Sequence, residues 1–374
     1  MNRNIKLVLL LLFISLEINA QDVDFLRNKV KDLKDDTLKL NALSSLAEKD
    51  DAPQWMEFNK QAYDLSNKLL LDKDPNVVLR AKKGLIEALN NFGFEADTKD
   101  DKIKAIEHWT DAMKLCLEIR DKKRLAIIYN NIGYLYYRNT EFQSALDFYT
   151  KSIQLKSELE DYEGVANTNV NIGSVYMQQG ELETAKNHYN KALKVFEKKG
   201  QQEKIAQTYV NIGNIYIHLN KYDQAATYFN SSLAIYKELN HPFGIANSLT
   251  NLGVIELINN KNYTKSLENF DASINSFMAA RDSAKINANL SYKARCFAEQ
   301  GKSKEAYDLS LNTYKSTIDK GFPEDILLVG NNHYLICKKQ EKFKEAMEAL
   351  ERCISAQDKL NDVKEKKAAL ARQL

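Results

Sequence analysis

Proline and glycine are scarce, at 4 and 13 among 374 residues. Both punctuate helices, so their rarity argues against a loop-rich chain and for nearly continuous helix. Cysteine is equally sparse: Cys116, Cys296, Cys337 and Cys353 stand in neither close pairs nor metal-ligand spacing. That excludes a disulfide scaffold or zinc ribbon. Buried thiols behaving as small hydrophobes are expected, with a Cys296–Cys337 bridge as the alternative. A dominant charge sign is also lacking, since 53 basic and 51 acidic residues leave +2. Such balance gives no footprint for nucleic acid. The five histidines, His108, His188, His218, His241 and His333, are isolated, without an H-E-x-x-H pair. There is no phosphate-binding glycine loop, no G-x-S-x-G elbow and no kinase motif. No catalytic residue, metal or cofactor is therefore expected, and the chain reads as non-enzymatic.

What is present begins with a charged and then apolar start. Arg3 and Lys6 precede the run Leu7 to Leu16, and Ile18-Asn19-Ala20 offers a small residue before Gln21. This is the layout of a signal peptide over residues 1–20. The run is too short for an ordinary span of about 20 residues, and no second one follows. An exported mature chain, periplasmic or secreted and not inserted in a membrane, is expected to start at Gln21. An uncleaved anchor is the alternative.

A six-residue core then returns every forty residues. It reads N-I-G-Y-L-Y from Asn131, N-I-G-S-V-Y from Asn171, N-I-G-N-I-Y from Asn211, and a decayed N-L-G-V-I-E from Asn251. Asn91, Phe92 and Gly93 hold the same frame one copy earlier. Ala105, Ala145, Ala185 and Ala225 follow the glycines by twelve residues; an insertion near Asn262 shifts the frame, and Ala306 and Ala346 continue it. A fixed period of this length means stacked units that cannot bury their apolar faces alone. Apolar residues recur at steps of three and four, as at Leu182, Ala185, Tyr189, Ala192 and Phe196, so each unit is a pair of amphipathic helices. The glycines Gly133, Gly173 and Gly213 are expected to face the alanines Ala145, Ala185 and Ala225. The aromatics Tyr136, Tyr176, Tyr216, Tyr149, Tyr189 and Phe229 are expected to fill grooves between successive hairpins.

Leu or Ile before glycine, Tyr three after, Ala twelve after and an aromatic sixteen after resemble the tetratricopeptide-repeat signature. The match is strongest from Ala126 to Glu256 and recognisable from about Asn90 to Cys353. The forty-residue unit exceeds the usual 34, and the closing proline is missing, as in the long-helix branch of kinesin light chains and bacterial sensor ectodomains. The resemblance implies an all-α fold, a right-handed superhelical solenoid of about eight antiparallel helix pairs. The expected organisation is a signal peptide (1–20), capping helices with a degenerate first repeat (21–72), the repeat array (73–355), and an extension of the last helix (356–374). That basic extension is expected to cap the array, or else to begin a coiled-coil connector.

In this family the first helix of each pair lines a concave surface on which peptides lie. The asparagine two residues before each glycine position, Asn91, Asn131, Asn171, Asn211 and Asn251, would form a ladder there. Each amide offers both donor and acceptor to the backbone of an extended peptide. Tyr134, Arg138, Ser174, Asn214 and His218 on the same face would add specificity. Clustered Lys and Arg for a C-terminal carboxylate are lacking. The expected function is an exported scaffold binding a peptide or protein; the alternative is the sensory input part of a signalling receptor.

Overall fold

A computed structural model of the chain describes residues 30, 33, 36–49, 55–279 and 282–371. The expected signal peptide, most of the leading segment and the last residues of the extension lie outside these residues. Sixteen α-helices, and no strand, occur among the described residues. They pair in chain order: α1 (Asp36–Lys49) with α2 (Trp55–Leu69), α3 (Pro75–Thr98) with α4 (Lys102–Glu118), and α5 (Lys122–Arg138) with α6 (Phe142–Glu158). Then follow α7 (Tyr162–Gln178) with α8 (Leu182–Lys199), α9 (Gln202–His218) with α10 (Tyr222–Glu238), and α11 (Pro242–Ile255) with α12 (Tyr263–Ala279). The series ends with α13 (Ser283–Glu299) and α14 (Ser303–Lys320), then α15 (Pro323–Lys339) and α16 (Phe343–Ala371). The fold is thus an all-α array of helix pairs. It divides into two compact units, Met1–Thr168 and Asn169–Leu374, with the division inside α7.

The forty-residue period is two helices of about 17 residues and two three-residue turns. One residue in each turn is left-handed: Asp100, Arg120, Thr140, Glu160, Gly180, Gly200, Asn220 and Asn240 recur every 20 residues with φ between 50° and 80°. The residue after it closes the preceding helix from its own N–H, as Glu141 does to the Tyr136 carbonyl at 2.9 Å and Asp161 to Lys156 at 2.8 Å. Where that residue is aspartate it also starts the next helix. The carboxylate of Asp121 accepts from the Arg124 N–H at 3.0 Å, and that of Asp161 from Gly164 at 2.9 Å. Pro75, Pro242 and Pro323 occupy the first helical positions, where a missing N–H costs little. Pro53 lies outside the described residues. The insertion near Asn262 is absorbed as a π-helical turn, Glu256–Asn260, so the chain regains register without a longer loop.

Packing within each hairpin differs from the expectation in one respect. The alanines Ala105, Ala145, Ala185, Ala225 and Ala306 are fully buried. The nearest neighbour of Gly93, Gly133, Gly173 and Gly213, however, is the aromatic sixteen residues on. In unit one a Cβ on Gly133 would lie 2.8 Å from Tyr149 Cδ1, with the Ala145 carbonyl behind it at 3.3 Å. In unit two a Cβ on Gly173 would lie 2.7 Å from Tyr189 Cε1, and one on Gly213 2.7 Å from Phe229 Cε1. The ring lies over the bare glycine inside its own hairpin and also packs on the following pair, Tyr189 with Ile212 and Ile215, and Phe229 with Leu249 and Leu252. Within their own hairpins Tyr136 stacks on Phe148, Tyr176 on His188 and Tyr216 on Tyr228, each at 5.5 Å between centroids, and Tyr216 also packs on the neighbouring pairs. Burying each such ring contributes about 1.5–3 kcal/mol.

Successive pairs within a unit are joined by aliphatic contacts. In unit one Leu85, Ile86 and Leu89 of α3 cluster with Trp109 of α4 and with Ile128 and Ile132 of α5. In unit two Phe229 and Leu233 of α10 cluster with Leu249, Leu252 and Ile255 of α11. First helices of adjacent pairs also touch, α1 on α3 and α3 on α5 in unit one, and α13 on α15 in unit two. The four cysteines are free and buried, so the Cys296–Cys337 bridge is not formed.

Candidate functional site

Position in the frame puts every ladder asparagine on a first helix, but the amides are used in two different ways. In unit one they tie pairs together. The Asn91 amide donates to Asn59 Oδ1 at 2.9 Å, and Asn59 in turn donates to the Ala88 carbonyl at 3.0 Å. Asn131 donates to Asn90 Oδ1 at 2.8 Å, and Trp109 Nε1 shares the same asparagine at 3.2 Å. Each accepting group sits one step away on the preceding pair.

In unit two that acceptor is gone. Val170 and Val210 stand where Asn90 and Asn130 stand in unit one, and a valine side chain offers nothing to an amide. Asn211 and Asn251 follow those valines. Among the described residues neither side chain makes a hydrogen bond, and both are half-buried, as is Asn214, which is equally unengaged. His218 is exposed and likewise without a side-chain partner among the described residues. Asn171 is engaged. Late in the array Asn332 is interior, donating to Ser291 Oγ at 2.8 Å and accepting from Arg295 at 3.3 Å.

The remaining candidates separate similarly. Tyr134 is 43% exposed, with its ring 6.3 Å from that of Tyr137. Arg138 is committed to the buried Asp97 of the preceding pair at 2.7 Å, and Arg124 is paired with Glu87. Neither guanidinium is left to clamp a carboxylate. Ser174 Oγ lies 3.1 Å from the Val170 carbonyl and 3.1 Å from the Tyr189 hydroxyl, so it locks the hairpin.

One feature escaped the sequence reading. A cavity of about 290 Å³ opens between the N-terminal halves of α9 and α11, lined by Glu203, Lys204, Gln207, Val210, Tyr236, His241, Phe243, Gly244 and Asn247. Its floor is the Tyr236 ring, which fits because Gly244 has no side chain: a Cβ there would lie 2.4 Å from the ring. Burial, with the Glu203 charge nearby, pushes the Tyr236 phenol up to about 12, and its hydroxyl donates to Gln207 Oε1 at 3.3 Å. His241 Nδ1 accepts from the Gly244 N–H at 3.0 Å. No repeat motif spans these positions.

Two polar groupings invite a chemical reading and do not sustain one. His333 lies 2.8 Å from Ser310 Oγ and 3.5 Å from Cys337 Sγ, but all three are sealed in the core. Burial pushes His333 down to about 4 and the Cys337 thiol up to about 11, so the imidazole is neutral and the thiol protonated. No group of three His, Cys, Asp or Glu that could hold a metal occurs among the described residues.

Known proteins agree with this architecture. Tetratricopeptide-repeat profiles match residues 164–238, 126–159 and 335–360. No curated protein matches the chain. Among solved structures, the apo form of the quorum sensor NprR from B. thuringiensis is similar at 15% identity, covering 94% of this chain and 97% of that one with a TM-score of 0.68. Aspartyl phosphate phosphatase F from Bacillus subtilis is similar at 13% identity, with 94% and 92% coverage and a TM-score of 0.66. A Rap protein complexed with Competence and Sporulation Factor is similar at 15%, with 96% and 97% coverage and a TM-score of 0.62. At these identities the likeness is one of fold. With the matched repeats, the glycine–aromatic hairpins and the forty-residue frame, the chain carries tetratricopeptide repeats in an array of long helix pairs.

Proposed function

We propose that the chain is a non-enzymatic scaffold that binds an extended peptide or a protein segment on the first-helix face of unit two. The observation that carries this is the pair of half-buried, unengaged amides Asn211 and Asn251 at equivalent positions on α9 and α11. A half-buried amide that forgoes a partner loses about 1–3 kcal/mol when water is excluded from it, and a peptide backbone supplies both partners. Among solved relatives in fold, one Rap protein is complexed with Competence and Sporulation Factor, and another with the Phr* peptide. Binding is placed outside the cytoplasm on the basis of the charged start, the short apolar run and Ala20.

The test is selection of a displayed random-peptide library against the full chain, with Asn211→Ala/Asn251→Ala as counter-target. Peptides retained by the parent and lost on the variant support the reading. Peptides retained equally by both overturn it.

A further inference from the structure

The cavity is lined by residues of α9 and α11, the two helices that carry Asn211 and Asn251. We propose that it is a subsite for one guanidinium side chain of the bound segment; this rests on the peptide-binding reading above. At about 290 Å³ it lies at the lower end of ligand pockets, room for a single side chain rather than a cofactor.

Its chemistry selects the guest. The walls are aromatic: Tyr236 forms the floor, His241 lies 5.2 Å from it between centroids, and Phe243 stands half-exposed at the rim, held edge-on by Phe277 at 5.8 Å. The exposed Phe243 ring suits a flat cation. The cavity lining carries one carboxylate and one ammonium. Glu203 is 69% exposed on the rim, 3.7 Å from His241 Nε2. Lys204, the one lysine in the lining, has its ammonium 5.5 Å over the Phe196 ring. His241 spends Nδ1 as acceptor for the Gly244 N–H, which places its proton on Nε2 in the neutral ring. A guest meets the Glu203 carboxylate, the Gln207 and Asn247 amides, and aromatic side chains. A guanidinium satisfies all of these, pairing its N–H fork with Glu203 and stacking on Phe243.

The experiment titrates capped Ala-Arg-Ala and its neutral isostere, capped Ala-citrulline-Ala, into full-length protein labelled at histidine and phenylalanine ring carbons. The arginine peptide is expected to shift His241 and Phe243 saturably, and to bind about tenfold more tightly than the citrulline peptide. Glu203→Gln, a rim substitution, should erase that preference and leave the melting temperature unchanged. Equal affinity for the two peptides overturns the guanidinium assignment while backbone recognition stands. Absence of saturable shifts with either peptide overturns the subsite itself. Failure of the peptide-binding reading is seen separately, in the Asn211/Asn251 selection.

Discussion

Replacing Lys156 by methionine should make unit one more stable at neutral pH. In the pairs with repeat alanines Ala105, Ala185 and Ala225, the position eleven residues later is filled by Cys116, Phe196 and Tyr236. Lys156 occupies it in α6 at 8% exposure, its ammonium donating to Thr168 Oγ1 at 2.8 Å. Burial pulls its pKa down from 10.5 to about 8, against the pull of Asp161. A displacement of that size means the charged form is disfavoured by about 3 kcal/mol in the fold relative to the open chain. Methionine removes this cost and fills the slot with a flexible apolar chain. Thr168 is not orphaned, because its hydroxyl also reaches the Gly164 carbonyl at 3.0 Å and Asn130 Oδ1 at 3.2 Å. Subtracting about 1–2 kcal/mol for the lost hydrogen bond leaves a net gain of about 1–2 kcal/mol at pH 7. The sign with pH follows from the lowered pKa. Between about 8 and 10.5 the open chain binds a proton that the fold does not, so the parent gains stability as pH rises. The advantage of the variant should therefore shrink over that window and be gone above it. Urea titrations followed by the fluorescence of Trp109, which lies in the same unit, measure the difference at pH 7, 9 and 10.5. A lower midpoint for Lys156→Met at pH 7, or a gap that ignores pH, refutes the reasoning.

Three further outcomes are expected. Gly173→Leu should lower the stability of unit two by about 1–3 kcal/mol, since even a Cβ there meets the Tyr189 ring at 2.7 Å; coincident denaturation midpoints would show that the ring moves freely aside. Thr140→Gly should raise stability by about 0.5–1 kcal/mol, because a β-branched residue is held at φ 62° in the α5–α6 turn; a drop in calorimetric midpoint would contradict this. Exported protein should have an intact mass beginning at Gln21, and a mass retaining Met1–Ala20 would sink the cleavage reading.

The repeat frame was legible because its constraint is hard: a ring lies on a glycine, and no other residue leaves that room. What the frame did not reveal was which partner the glycine meets, since alanine at twelve and the aromatic at sixteen lie on one helical face. The left-handed turn residues were hidden for a different reason. Backbone N–H groups close those turns, so Asp100, Arg120, Thr140 and Glu160 serve where Gly180 and Gly200 also serve. The insertion near Asn262 was visible as a shift, but not its form as a π-turn, which depends on the ladder of carbonyls and not on residue type. The asparagine ladder was visible in full, and its division was not. That division turns on the residue before each asparagine one repeat earlier, Asn90 offering an acceptor to Asn131 and Val170 and Val210 offering none. The cavity over Tyr236 joins three helices, so no stretch of sequence displays it.

Calorimetry with a library-selected peptide, on the parent and on Asn211→Ala/Asn251→Ala, tests the central claim most directly. Each lost amide contact should cost about 0.5–1.5 kcal/mol, so together they should weaken binding about 5–150-fold, with melting temperature essentially unchanged. Unchanged affinity with a lowered melting temperature would contradict the account, and would make these amides part of the packing between pairs.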